Sequence, residues 1–367
     1  MDAHHSPGPA GRSRHRRRRS SAVLGVLLVA GLTAGCGVRL EAPPVAEPVP
    51  DALEIVRRTA VSDALLVAER AEAALEATPS GRERLITELT RIAADSRVQA
   101  TELGGVYDSG LATDEPTGSP AGSPSQESGN VPDVVQALVD AAARSRTAAG
   151  TTTDGPLARL LASVGAAQTV SAGRLADLAD VAGPEPLDPQ VPEPTGEGRA
   201  AEEATPGGTP SAEASPMPSA DATNTAEAVP EGLTAEQLST LVASEDATGY
   251  ALRLRAAIAD GTRRARLLAR AGAHDDRALG WALVAGTQDS AQDPRRAAYT
   301  VPRVDDQGDK ALVRTLEDGL ATDYATLVGT TAAGTRGVLV DLLVDAAVGL
   351  DDWGAEPEPF PGLPEQE

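Results

Sequence analysis

The fold is decided by stretches such as VRTLEDGLATDYATLV, residues 313–328, in which large apolar side chains recur at the spacing of an α-helix. These side chains are three or four residues apart, and they are Val313, Leu316, Leu320, Tyr324 and Leu327. Such spacing places them along one face of a helix, which must be buried against other helices. Glu317 falls on the same face, so a carboxylate is predicted to point into the core.

The same pattern recurs in segments that are rich in Ala, Leu, Arg and Glu, which are good helix formers. We predict eight helices, at residues 51–77, 81–104, 132–149, 155–182, 234–260, 262–286, 309–330 and 335–353. Helix-breaking sequences such as Pro79-Ser80-Gly81 and Gly104-Gly105 separate them. No stretch alternates with period two for long enough to predict a strand. The expected fold class is all-α, with two up-down four-helix bundles.

Three stretches lack the helical pattern and are predicted to be extended or disordered. Residues 36–50 include LEAPPVAEPVP, a proline-rich tether. Residues 109–130, rich in Gly, Ser, Pro and Thr, are an insert in the N-terminal helical domain, 51–182. Residues 183–231 carry ten prolines and ten acids against one arginine, and they form an acidic linker to the C-terminal domain, 232–367.

The first 35 residues are typical of an export signal. Six arginines precede an apolar run, Ala22–Leu32, that is too short to span a bilayer. This run ends in LTAGC, which resembles a bacterial lipobox and predicts lipid attachment at Cys36, the only cysteine. An ordinary cleaved signal peptide and an uncleaved membrane anchor are the alternatives. Two or three acyl chains at Cys36 would hold the protein on the extracytoplasmic face of the cell membrane.

Composition excludes several classes of function. The chain has 32 Lys+Arg against 54 Asp+Glu, a net charge of −22. Without residues 1–35 the balance is 26 basic against 53 acidic residues, a net charge of −27. Such a chain does not suit general nucleic-acid binding, which needs cations to neutralise phosphates. A single cysteine excludes an intramolecular disulfide and a cysteine-based zinc finger.

Four polar residues of the C-terminal domain are candidates for chemistry. Glu245 and Glu317 fall on the apolar stripes of their helices, and His274 is the only histidine after residue 35. Asp345 shares a helix face with Asp341. The structural interpretation is that the acids are buried and paired with arginines, and the expected partners are Arg253, Arg266 and Arg314.

The C-terminal domain resembles a family of actinobacterial ferritin-like domains of unknown function. The resemblance is carried by SEDATGYALRLRAA, HDDRALGWAL, AAYTVP, LEDGLATDYATLV and FPGLPE, which lie between residues 244 and 365. The N-terminal domain, with ATELGGVYDSG, looks like the corresponding part of actinobacterial lipoproteins. The resemblance implies a ferritin-like four-helix bundle and no established activity.

Ferritin-like proteins bind iron or manganese through carboxylates and histidines, and the resemblance would place Glu245 and Glu317 at such carboxylates and His274 near a histidine position. Asp345 is the fourth candidate for this degenerate site. The di-metal template needs two Glu-x-x-His motifs. Here Ala271 stands three residues before His274, and Val348 stands three residues after Asp345. We therefore expect no cofactor and no catalytic residues.

The expected function is that of a membrane-anchored, non-enzymatic envelope protein that binds an unknown partner or has a structural role. A metal-binding or redox protein is the alternative. A third hypothesis is a binder of small cationic or peptide ligands in the acidic C-terminal bundle, which an ordered pocket at His274 would favour.

Overall fold

A computed structural model describes residues 49–109, 129–194, 229–301 and 308–366, and these residues contain helices and no strand. Eight α-helices follow one another: α1 (Ala52–Ala77), α2 (Glu83–Glu102), α3 (Val131–Thr151), α4 (Gly155–Ala179), α5 (Ala235–Ala256), α6 (Gly261–Val284), α7 (Gly308–Thr330) and α8 (Gly337–Asp352). Each lies within a few residues of its predicted range, so the all-α prediction is confirmed.

Several helices begin at a residue whose side chain caps the first turn. Asp51 accepts a hydrogen bond from the Glu54 amide at 2.8 Å, and Asp154 accepts one from the Leu157 amide at 2.8 Å. At the start of α5, Thr234 and Gln237 bond each other's backbone amides in a capping box. These caps satisfy amides that a helix cannot satisfy internally, and they fix where the helices start.

The helices form two up-down four-helix bundles, α1–α4 and α5–α8. In the N-terminal bundle α1 packs on α2 and α3 packs on α4, while in the C-terminal bundle α5 packs on α6 and α7 packs on α8. This is the predicted architecture.

The two bundles share one hydrophobic core, which was not predicted. Helix α4 packs against both α7 and α8, and every residue from Leu161 to Ala172 is buried. A continuous cluster of buried apolar residues joins Leu161 and Val164 of α4 to Leu342 and Val344 of α8. A helix that is apolar all round must be covered on all sides. Helices α2 and α3 of the N-terminal bundle pack against α4, and helices α7 and α8 of the C-terminal bundle cover it further.

Polar contacts and glycines tighten the boundary between the bundles. Arg146 pairs with Asp341 at 2.5 Å, and Arg174 pairs with Asp351 at 2.6 Å. Gly155 lies so close to the Gly329 carbonyl that a Cβ there would collide with it. The two bundles therefore meet backbone to backbone at this point.

The C-terminal FPGLPE segment is part of the same boundary. Phe360 and Leu363 are buried in the shared core, and Ser163 of α4 donates a hydrogen bond of 2.8 Å to the Pro361 carbonyl. Gly362 has φ of +77° and lies against the Ala321 carbonyl, where a side chain would clash. The tail thus packs against helices of both bundles.

The start of the predicted linker contacts the helices. Leu187 and Val191 pack against the shared core, and Val191 lies directly over Gly280 of α6. Residues 183–194 thus form no helix or strand but lie against the helices, because their apolar side chains find buried surface to cover. The rest of the linker, 195–228, lies outside the described residues.

Other predictions concern parts of the chain that lie outside the described residues: the export signal, Cys36, most of the tether and residues 110–128 of the insert. Within the described ranges, no helix combines the length and the apolar character needed to cross a membrane.

Candidate functional site

The C-terminal bundle brings its four predicted candidates together in one polar cluster. Glu245 comes from α5, His274 from α6, Glu317 from α7 and Asp345 from α8. The first three are fully buried, as the helical spacing predicted. Each helix of the bundle therefore contributes one of the four predicted candidates to the cluster.

His274 lies between the two glutamates. Its Nδ1 is 2.6 Å from Glu245 Oε2, and its Nε2 is 3.2 Å from Glu317 Oε1. A carboxylate oxygen can only accept, so each ring nitrogen must carry a hydrogen to form both bonds. Both bonds can form at once to carboxylate acceptors when His274 is the imidazolium.

The electrostatics of the site agree with this protonation state. Burial is the largest single influence on the pKa of His274 and on its own lowers it. The negative charges and hydrogen bonds of Glu245 and Glu317 outweigh burial, so the pKa lies above its usual value.

Arg270, one helical turn before His274, is the arginine that pairs with the buried acids. Its Nε and Nη2 donate to the two oxygens of Glu317 at 2.6 and 2.5 Å, and its Nη1 donates to Asp345 at 2.7 Å. Burial alone would raise the pKa of Glu317, but hydrogen bonds and charge from Arg270, aided by His274, lower it to about 2. Glu317 is thus a carboxylate at all ordinary pH values.

Two further residues complete the cluster. Arg277 donates from Nη2 to Asp345 Oδ2 at 2.7 Å, next to the bond from Arg270. The Tyr324 hydroxyl donates to Glu245 Oε1. Tyr324 stands on the same stripe of α7 as Glu317, and Arg277 is seven residues after Arg270. Helical spacing alone could therefore have identified Tyr324, whereas Arg277 follows only once Arg270 is known.

The prediction that buried acids pair with arginines was right in kind and wrong in its residues. Arg253 pairs with Asp275, Arg266 stacks on Trp353, and Arg314 donates to the backbone carbonyls of Lys310 and Gly354. All three lie toward the surface of the bundle, whereas Arg270 and Arg277 share the inward face of α6 with His274.

The cluster is balanced in charge: Glu245, Glu317 and Asp345 face the cations of His274, Arg270 and Arg277. A metal ion does not fit this donor set, because Arg270 already occupies both oxygens of Glu317. Both nitrogens of His274 are also engaged, and a guanidinium beside a metal would repel it. The described residues contain no group of three or more Asp, Glu, His or Cys placed to hold a metal.

The His274 side chain is fully buried, so no open pocket exposes it to solvent. A cavity of about 240 Å³ lies instead beside Asp345, at the outer edge of the cluster, and Asp177, Glu185 and Leu187 also line it.

The pH dependence of stability provides a test of the imidazolium. Because the pKa of His274 is raised on folding, its contribution is complete below about pH 6.5 and is lost as the pH rises toward the folded-state pKa. The free energy of unfolding should fall by at most about 1.4 kcal/mol per pH unit above pH 6.5. Urea unfolding between pH 5.5 and 9 measures this slope. His274→Gln should remove the slope, and a flat wild-type profile would contradict the assignment.

Comparison with known sequence families concerns the same part of the chain. Residues 237–365, about a third of the chain, match a family described as a domain of unknown function (DUF4439). The match includes Glu245, His274, Glu317 and Asp345. Searches of curated proteins and of solved structures gave no match.

Proposed function

We propose that this chain, whose residues 237–365 form a domain of unknown function, is a lipid-anchored protein of the cell envelope with a non-enzymatic binding or structural role. The observation that carries the proposal is the closed ion-pair cluster of the C-terminal bundle. Every carboxylate in the cluster has a cationic partner, so no general base or metal ligand is left uncommitted.

A structural role explains why such a cluster is kept in the core. Buried ion pairs seldom add stability over apolar residues, but they can fix the register and pairing of helices. The cluster takes one acid or histidine from each of α5, α6, α7 and α8. Any slip of one helix would leave a buried charge unpaired, so the cluster specifies one arrangement of the bundle.

Anchoring is supported by the order of features along the chain. The apolar run Ala22–Leu32, the small residues 33–35 and the single Cys36 coincide, and α1 begins only at Ala52. The intervening proline-rich tether would hold the bundles away from the membrane surface. The partner would be another protein of the envelope, met on the extracytoplasmic side.

The alternative function, a ferritin-like metal-binding or redox protein using Glu245, His274, Glu317 and Asp345, would require Arg270 to leave Glu317. That would leave the buried Glu317 and Asp345 without the charge of Arg270, and His274 would have to lose a proton to bind a metal. The geometry therefore favours the structural role.

Substitution of Cys36 tests the anchoring. The wild-type chain should fractionate with membranes, and its mass should equal residues 36–367 plus acyl groups. Cys36→Ser should lack the acyl mass, and Ser21→Ala, which leaves the lipobox intact, should behave as wild type. Intact-mass spectrometry of the membrane fraction measures both. Lipidation would be refuted if Cys36→Ser stayed in the membrane fraction and if its mass differed from that of the wild type only by the change of cysteine to serine.

A further inference from the structure

Arg336, the residue that precedes α8, is a buried guanidinium that pairs with no carboxylate of the described residues. Only 2 % of its surface is exposed. Its Nε donates to the Ala332 carbonyl at a long 3.3 Å, and its Nη1 has no hydrogen-bond partner. The two N–H donors of Nη1 are therefore buried and unused among the described residues.

Burying the Arg336 guanidinium without a carboxylate partner is energetically unfavourable. The other arginines of the C-terminal core differ from Arg336 in this respect. Arg270 and Arg277 each donate to at least one carboxylate. A buried charge without a counter-charge loses its hydration and gains little in return. Burial, with no acid to offset it, lowers the pKa of the Arg336 guanidinium. An anion at this position would remove the cost.

A second polar group without a partner lies at the same junction. The Thr152 hydroxyl is buried and makes no hydrogen bond. Thr152 is the first residue after α3. The turn before Arg336 contacts the end of α3, because the Gly334 amide donates a hydrogen bond of 2.7 Å to the Gly150 carbonyl. A donor and a guanidinium thus stand unsatisfied where the α3–α4 and α7–α8 turns meet.

The local backbone also favours negative charge. No side chain caps the start of α8, and the first amides of a helix carry a partial positive charge. Gly334 is exposed and Ala332 is half-buried, so the junction lies at the end of the bundles beside solvent.

We propose that this junction, formed by Arg336, Thr152 and the start of α8, binds an oxyanion of the phosphate or sulfate type, either free or as a phosphomonoester. A guanidinium, a hydroxyl and helix amides are the donors that hold such groups in proteins. The site lies between the two bundles and is separate from the His274 cluster. Its ligand would therefore stabilise their packing.

Thermal unfolding of the full chain tests the site, with sodium phosphate, sodium sulfate or glycerol 3-phosphate added at constant ionic strength set by sodium chloride. Phosphate at ten times its dissociation constant should raise the Tm of the wild type by about 3–6 °C. Arg336→Gln should abolish the rise. Arg314→Gln should retain it, because Arg314 likewise donates only to carbonyls but is half-buried at the surface. If glycerol 3-phosphate raised the Tm and the inorganic phosphate and sulfate salts did not, the ligand would be identified as a phosphomonoester.

Thr152→Val keeps Arg336 and the size of the side chain, so it provides a test even if Arg336→Gln does not fold. It should weaken phosphate binding in calorimetric titration about 3- to 30-fold, the worth of one or two hydrogen bonds. An equal Tm response to all salts, or phosphate binding that is unchanged in Thr152→Val and Arg336→Gln, would overturn the proposal. Either result would leave Arg336 as a guanidinium that serves only the carbonyls of the turn.

Discussion

Glu317→Ala is expected to lower the free energy of unfolding by about 3–5 kcal/mol, the cost of removing one partner from a buried ion pair. The substitution leaves Arg270 with only Asp345 as an acidic partner, and it leaves His274 with only Glu245. Two carboxylates, Glu245 and Asp345, would then face three cations in a buried site. Urea unfolding at pH 6, where Glu317 and His274 are both charged, measures the loss.

Two variants show whether this loss comes from charge pairing. Asp318→Asn, the adjacent and exposed acid, should change stability by less than about 0.5 kcal/mol. Arg270→Met combined with Glu317→Leu removes one cation and one anion, and it leaves the pairs of His274 with Glu245 and of Arg277 with Asp345. The double variant should be more stable than Glu317→Ala by about 0.5–3 kcal/mol. Equal losses of stability in Glu317→Ala and in the double variant would mean that lost packing, not lost charge pairing, dominates the effect.

The same variants separate the structural role from metal binding. Elemental analysis of the purified full chain should give no stoichiometric iron or manganese, in the wild type or in Glu317→Ala. Stoichiometric metal that is lost in Glu317→Ala would instead show that the cluster opens to bind it. In that case the alternative function would replace the proposed one.

Much of the cluster could be predicted from helical spacing. Glu245 and Glu317 interrupt apolar stripes, and a side chain on such a stripe must point inward. His274 followed from the same rule, whereas Asp345 was a candidate because it shares a helix face with Asp341. The partner Arg270 did not, because choosing among the arginines of α6 requires the rotation and level of α6 relative to α7. Those depend on packing between helices and not on spacing within one helix.

The shared core of the two bundles could not be predicted by interpreting each helix separately, although the sequence of α4 contained one indication of it. Residues 160–173 contain no charged side chain, which is unusual for a surface helix of a four-helix bundle. Such a stretch indicates a helix covered on all sides. What covers it, here α7, α8 and the C-terminal tail, is set by contacts more than a hundred residues apart in sequence, which local patterns do not encode.

A fragment of residues 229–367, the C-terminal bundle alone, is expected not to fold cooperatively. Within the full chain, Val338, Leu342 and Phe360 belong to the core shared with α4. Without the N-terminal bundle, this apolar face would be open to water, and the ion pairs from Arg146 to Asp341 and from Arg174 to Asp351 would be missing. The fragment should bind a hydrophobic dye and show a broad thermal transition by circular dichroism, whereas the full chain should show a single sharp transition.

Point substitutions in the full chain test the same dependence without truncation. Ala166 of α4 is fully buried in the shared core, and Ala143 of α3 is exposed. Ala166→Asp places an unpaired charge between the bundles, so it should lower the stability of both by several kcal/mol in one common transition. Ala143→Asp should cost less than about 1 kcal/mol. Calorimetry that resolved two transitions, with only one of them shifted by Ala166→Asp, would show that the bundles fold independently. A single shifted transition would mean that the bundle carrying the His274 cluster depends on its N-terminal neighbour to fold.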